Sequence, residues 1–125
     1  MAPHGSFYWN ELMTRDAEKA KAFYAKTIGW TFERTPLPNG GTYWVAKTDD
    51  TPEAGIFPIQ GPEFEGAPEQ WFSYIAVDDV DARVKQAEQA GAKVIRPPFD
   101  APGVGRIAIL QEPGGAQIGW MTPID

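Results

Sequence analysis

Hydrophobic and polar positions change their period twice within the first 34 residues. Residues 6–13 form an aromatic-rich run of β type, and from Asp16 onward the apolar positions Ala20, Phe23, Tyr24 and Ile28 recur at helical spacing. Asp16 stands where a side chain can cap the free N–H groups of a first helical turn. Gly29 stands where a left-handed C-terminal cap is needed. Residues 30–34 return to a strand-like pattern, so the stretch predicts strand, helix, strand. Residues 36–41, with Pro36, Pro38 and Asn39-Gly40, read as a chain reversal. The β-branched and aromatic run 42–47 predicts a strand, residues 49–52 a turn, and residues 54–59 a short strand with Pro58 near its end. Residues 61–68 hold two prolines and two glycines without periodicity and read as a linker.

The plan then restarts. Residues 70–77 predict a strand, and Asp79 caps a helix to about residue 90 whose apolar positions are Val80, Val84, Ala87 and Ala90, with Gly91 as its stop. Residues 93–96 predict a strand ended by Pro97-Pro98, and residues 103–110 and 116–121 a final hairpin. The two halves superpose along the sequence. Trp9 to Phe72 and Asp16 to Asp79 are offsets of 63, while Gly29 to Gly91, Arg34 to Arg96 and Phe57 to Gly119 are offsets of 62. An offset this steady across strand, cap and helix end marks an internal repeat. A four-stranded sheet from one half cannot cover both of its faces, whereas two such sheets can curve around a shared interior. The expected fold is α+β: two tandem βαβββ modules, about 5–60 and 70–123 with a linker at 61–69, forming a curved, incompletely closed, barrel-like sheet around a central cavity.

Composition narrows the chemistry. The chain has 125 residues, enough for one domain with a real core, and its 42% hydrophobic and 13% aromatic content suits a globular fold. Eleven basic residues against 17 acidic ones leave a formal charge of −6. Such a surface repels phosphate backbones and anionic lipid heads, so neither nucleic acid nor membrane is expected as a partner. There is no cysteine and one histidine, which excludes disulfides, thiol chemistry and an assembled Ser-His-Asp or Cys-His arrangement. The opening MAPHGS has no basic segment leading into an apolar run and no stretch is long enough to span a bilayer, so a cytoplasmic protein is expected.

Several residues together resemble the vicinal oxygen chelate superfamily, which includes glyoxalase I, bleomycin-resistance proteins and extradiol dioxygenases. In the first half they are residues 9–16, Phe23-Tyr24 and Gly29-Trp30; in the second, Val77-Asp78-Asp79-Val80-Asp81, Gly91-Ala92 and Glu112-Pro113-Gly114-Gly115-Ala116. Glu112 replaces the Asp more usual in that turn. The resemblance covers essentially the whole chain and implies a homodimer. It also implies a site. Metal-using relatives carry a His or Glu ligand on the first and last strand of each module, and the matching positions here are Trp9, Phe57, Phe72 and Gly119, with one position of latitude at Phe57 and Phe72. None of these side chains coordinates a divalent cation, and neither do their neighbours Ile56, Pro58, Trp71 and Ser73. No metal and no cofactor are therefore expected.

What remains at those positions is aromatic. Trp9, Glu11 and Met13 share one strand face, as do Phe72, Tyr74 and Ala76. If those faces turn inward they line an apolar cavity suited to a small molecule, or else they fill the core. Glu11 on such a face is a carboxylate among apolar groups: a general base or cation partner, or a residue paired with an arginine at the rim. Tyr74 either donates to a ligand or anchors to backbone. Arg106 follows the loop 102–105 and either receives an anionic ligand group or Glu11, or lies at the surface. The expected ligand-binding set is Trp9, Met13, Phe57, Phe72, Tyr74, Arg106 and Gly119, with Glu11 as the candidate catalytic residue. The expected function is binding or sequestering of a small apolar or aromatic molecule, cationic if it is drawn by the acidic surface. The alternative is a lyase, isomerase or dioxygenase of the same superfamily, with Glu11 as base.

Overall fold

The computed structural model describes residues 2–37 and 40–124. Among them lie eight strands and two α-helices: β1 (Phe7–Thr14), α1 (Ala17–Ile28), β2 (Thr31–Pro36), β3 (Thr42–Thr48), β4 (Thr51–Pro58), β5 (Gln70–Ala76), α2 (Val80–Gln89), β6 (Lys93–Ala101), β7 (Gly105–Gln111) and β8 (Gln117–Pro123). The architecture is α+β, and each half runs strand, helix, three strands, as the repeated pattern predicts. The chain divides into two compact units, Trp9–Trp71 and Met1–Tyr8 with Phe72–Asp125, here called the first and second unit.

In the first unit the strands lie in the order β2-β3-β4-β1, with β1 parallel to β4 and the other pairs antiparallel. The Asp16 carboxylate accepts the Lys19 N–H at 3.0 Å, and Gly29 takes the left-handed conformation (φ 79°) as its N–H donates to the Tyr24 carbonyl at 3.1 Å. Both ends of α1 are thus set by the capping residues that the sequence shows. The helix face behaves differently. Phe23 and Ile28 are 57% and 59% exposed, and no residue of α1 is buried. What holds the helix is polar and aromatic: Lys21 Nζ sits 3.1 Å from the centre of the Trp44 ring, and Tyr24 packs on Trp30 and Trp71 at 4.9 and 5.9 Å. Strand β4 begins at Thr51, earlier than expected, because Asp49 and Asp50 accept positive φ (47° and 65°) and close a two-residue hairpin with Thr48 paired to Thr51. Of the reversal expected before β3, Pro38 and Asn39 lie outside the described residues.

The second unit repeats the order as β6-β7-β8-β5, with β5 parallel to β8. Asp79 caps α2 by accepting the Ala82 N–H at 3.2 Å. Here the predicted apolar face is buried: Val80, Val84 and Ala87 pack with Val77, Ala108, Leu110 and Ile118 into a continuous core. The N-terminal segment joins this unit, since Gly5 N–H donates to the Ala76 carbonyl and Ala76 N–H to Ser6, at 2.7 and 2.8 Å. Pro97-Pro98 does not end β6. The strand continues to Ala101, its register slipping between Arg96 and Phe99, which pair with Ile109 and Ile107. Two residues without an N–H are accommodated because β6 is the outermost strand of its unit and bulges at that point.

Candidate functional site

Strand pairing decides which side chains meet. Glu11 pairs with Gly55 and Met13 with Phe57 across β1 and β4, and Val45 pairs with Gly55 across β3 and β4. Directly paired residues share a face. One face of the first unit therefore carries Trp9, Glu11 and Met13, Gly55 and Phe57, and Tyr43 and Val45, while Trp44 and Ile56 point to the other face. The sequence-predicted residues Trp9, Glu11, Met13 and Phe57 do come together, and Tyr43 joins them.

Glu11 is the polar centre of this face. It is 8% exposed, one of two buried polar residues among those described. Tyr43 Oη donates to Glu11 Oε1 at 3.0 Å, and Trp9 Nε1 donates to Tyr43 Oη at 2.7 Å. Burial pushes the Tyr43 phenol far above its ordinary value, the adjacent Glu11 charge adds to the rise, and the Trp9 bond opposes it. Tyr43 thus stays a neutral donor. Its ring lies over Gly55, where a Cβ would overlap Oη and Cζ of the tyrosine. A glycine inside a strand is the sign of such a close approach, and it is the one signal in the sequence that pointed to Tyr43. The rings continue outward: Tyr43 to Phe57 at 6.5 Å, and Phe57 to Phe64 at 5.9 Å.

Phe64 comes from the segment expected to be a linker. Residues Pro62–Phe64 form a turn of 3-10 helix. Arg15 donates to the Phe64 carbonyl at 2.9 Å, and Thr14 Oγ1 donates to Glu69 Oε1 at 2.5 Å, fastening the segment to the end of β1. Without periodicity nothing in the sequence marks Phe64 except that it is a lone aromatic between polar neighbours.

The second unit presents a different face. Phe72 and Tyr74 stack edge to face at 5.2 Å, and Tyr74 pairs with Gly119. A Cβ at residue 119 would run into the Tyr74 ring and come within 3.1 Å of Phe72, so Gly119 serves as the floor under those rings. Because Tyr74 and Glu11 are 63 residues apart and pair with Gly119 and Gly55, the structural counterpart of Gly119 is Gly55 rather than Phe57.

Arg106 does not join Tyr74. Ile107 pairs with Met121 and Ile109 with Gly119, which places Ile107 and Ile109 on the Tyr74 face and Arg106 on the other. There its guanidinium donates to both carboxylate oxygens of Asp81 at 2.7 and 3.2 Å and to Asp100 at 3.0 Å. Those bonds lower the Asp81 pKa and raise that of Arg106. The residue ties β7 to β6 and to the first turn of α2. On that same helix side an apolar cleft of about 210 Å³ opens between the end of α2 and the β7–β8 turn, lined by Ala87, Ala90, Ala92, Leu110, Pro113 and Trp120.

The residues that the resemblance aligns with metal ligands, Trp9, Phe57 or its register neighbour Gly55, Phe72 and Gly119, have no side-chain donor for a divalent ion. Among the described residues no three His, Asp or Glu side chains converge on a point where an ion could sit. Those four side chains do not fit a divalent ion. Among the described residues no helix is long and apolar enough to cross a membrane.

The chain belongs to the Glyoxalase/Bleomycin resistance protein/Dioxygenase superfamily, whose sequence profile matches residues 7–119. It is 39% identical over 120 residues to the Mycobacterium tuberculosis protein named "Putative glyoxylase CFP32", covering 94% of this chain and 46% of that protein. It is 32% identical over 123 residues to the anthracycline biosynthesis protein DnrV of Streptomyces peucetius, covering 90% of this chain and 45% of that one. The chain thus spans less than half the length of these relatives. Methylmalonyl-CoA epimerase from M. tuberculosis superposes with a TM-score of 0.65 at 12% identity, over 100% of this chain and 93% of that one. The Bacillus halodurans protein BH1468 superposes with a TM-score of 0.73, also at 12% identity, over 98% and 97% of the two chains. At such identities these two likenesses speak for the fold alone.

Proposed function

We propose that the chain binds a small, largely aromatic molecule on the Glu11 face of the first unit, without a metal. The observation that carries this reading is a buried carboxylate that accepts from Tyr43, itself bonded to Trp9, on a face whose rings run on from Tyr43 to Phe57 and Phe64. Aromatic walls with one fixed polar group are the usual makeup of a small-molecule site: the rings contribute burial and the polar group sets orientation. The name of one relative, for anthracycline biosynthesis, is compatible with such a ligand. A thermal-shift screen of small aromatic compounds tests the proposal. Ligand at a hundred times its Kd stabilises the folded state by about 2.7 kcal/mol, a rise of several degrees in Tm. A screen without any such rise, or a stoichiometric divalent ion in the purified protein, overturns it.

One observation favours a catalytic version of the same site. Tyr43 holds one oxygen of Glu11 and so orients the carboxylate, as a neighbouring donor does for a general base. In that case Glu11→Gln keeps ligand affinity within a few fold and abolishes turnover; loss of affinity in parallel supports binding alone.

A further inference from the structure

Residues 60–68 form a loop whose two ends are fixed at one residue of β1. The Thr14 carbonyl accepts the N–H of buried Ile59 at 2.9 Å, and the Thr14 hydroxyl donates to Glu69 Oε1 at 2.5 Å. A surface loop with its ends together can swing without disturbing the strands it joins. Its backbone bonds turn inward on the loop itself. Phe64 N–H donates to the Gly61 carbonyl, Glu65 N–H to Pro62 and Ala67 N–H to Phe64, at 3.1, 3.1 and 2.9 Å. The turn that they close stands between Gly61 and Gly66, both at positive φ (96° and 79°), and a Cβ on Gly66 would meet nothing within 4 Å. These are the features of a unit that moves as one piece about two glycine hinges.

One ring of the loop turns in. Phe64 is half-buried between exposed Glu63 and Glu65, and its ring meets Phe57 edge to face at 5.9 Å. Phe57 pairs with Met13 on the Glu11 face, so Phe64 closes against one end of that face. The Phe64 carbonyl accepts from exposed Arg15 at 2.9 Å, a surface bond that is easily exchanged for water. From this we infer that loop 60–68 is a gate over the Glu11 face. Arg15 latches it shut, Phe64 closes on a small aromatic ligand, and opening lifts the ring off Phe57 and uncovers the end of the face at Met13. This rests on the Glu11 face being the ligand site and adds how that site opens.

The chain has no cysteine, so a single thiol can report on the gate. The reporter is Met13→Cys, and the control is Thr27→Cys on the exposed side of α1. Each reacts with 4,4′-dithiodipyridine, a neutral aromatic disulfide, and the thiopyridone released gives the rate. With the loop otherwise native, residue 13 is expected to react more slowly than residue 27. Adding Arg15→Ala or Phe64→Ala is expected to speed residue 13 by roughly three- to tenfold, the worth of one hydrogen bond or one ring pair, and to leave residue 27 unchanged. Arg15→Ala is the sharper variant because it keeps the ring, so a faster reaction there requires motion; it decides alone where Phe64→Ala fails to fold. An unchanged rate at residue 13 in Arg15→Ala overturns the gate, as does an equal rise at residue 27 or a residue 13 as open as residue 27 from the start. The labelling uses no ligand. A failed gate therefore leaves a hit in the thermal-shift screen standing, and an empty screen leaves the labelling rates standing.

Discussion

The two units share one plan and use it for different ends. In the second, α2 buries Val80, Val84 and Ala87 against the sheet, and the opposite face carries apolar rings over Gly119. In the first, no residue of α1 is fully buried, and the face over Gly55 carries a buried carboxylate that accepts from Tyr43. At equivalent positions stand Tyr74 and Glu11. The unit whose helix buries three side chains sets a ring at that position, whereas the unit whose helix has none buried sets a carboxylate. A repeated plan can thus carry different residues at equivalent strand positions, because backbone pairing sets the register without fixing which side chain stands there.

The largest effect that would break this comparison concerns the cores. Leu110→Ala removes a fully buried side chain under α2 and is expected to cost roughly 2–5 kcal/mol by urea unfolding, whereas Phe23→Ala on α1 is expected to change stability by less than about 0.5 kcal/mol. Equal costs would show that α1 packs as tightly as α2. A smaller effect concerns the paired glycines. Gly55→Ala expels the Tyr43 ring and breaks its hydrogen bond to Glu11, at about 1–3 kcal/mol by urea unfolding. Gly119→Ala crowds the Tyr74 ring in the same way and is expected to destabilise by a similar amount. Smallest is Tyr43→Phe, at about 1 kcal/mol near neutral pH. The folded-state pKa of Tyr43 lies above its ordinary 10.0, so its stabilising contribution is full below pH 10 and is lost as pH rises beyond that. The gap between wild type and Tyr43→Phe, followed by chemical unfolding across pH 8 to 11, should narrow at the alkaline end; a constant gap would place the shift elsewhere.

The elements were legible in the chain because their signals are local. Asp16, Gly29 and Asp79 cap within one turn of themselves, and the alternation of 42–47 and 70–77 fixes strands without knowledge of their partners. The apolar face of α1 was misleading for the same reason: helical spacing records what a helix could bury, and whether a sheet rises to meet it is not written in the helix. Pro97-Pro98 misled likewise, since only the place of β6 at an outer edge makes two prolines tolerable there.

The site divides along the same line. The sequence by itself determined that Trp9, Glu11 and Met13 share a face and that the chain carries a net negative charge. Only the tertiary structure decided that Tyr43 crosses from β3 to bind Glu11, that Gly55 leaves the space for it, that Phe64 is drawn in by Arg15 and Thr14, and that Arg106 faces α2. The reason is physical. Period two along a strand says which side chains point the same way, but register between strands is set by pairing over tens of residues, and a shift of one residue sends every side chain to the opposite face.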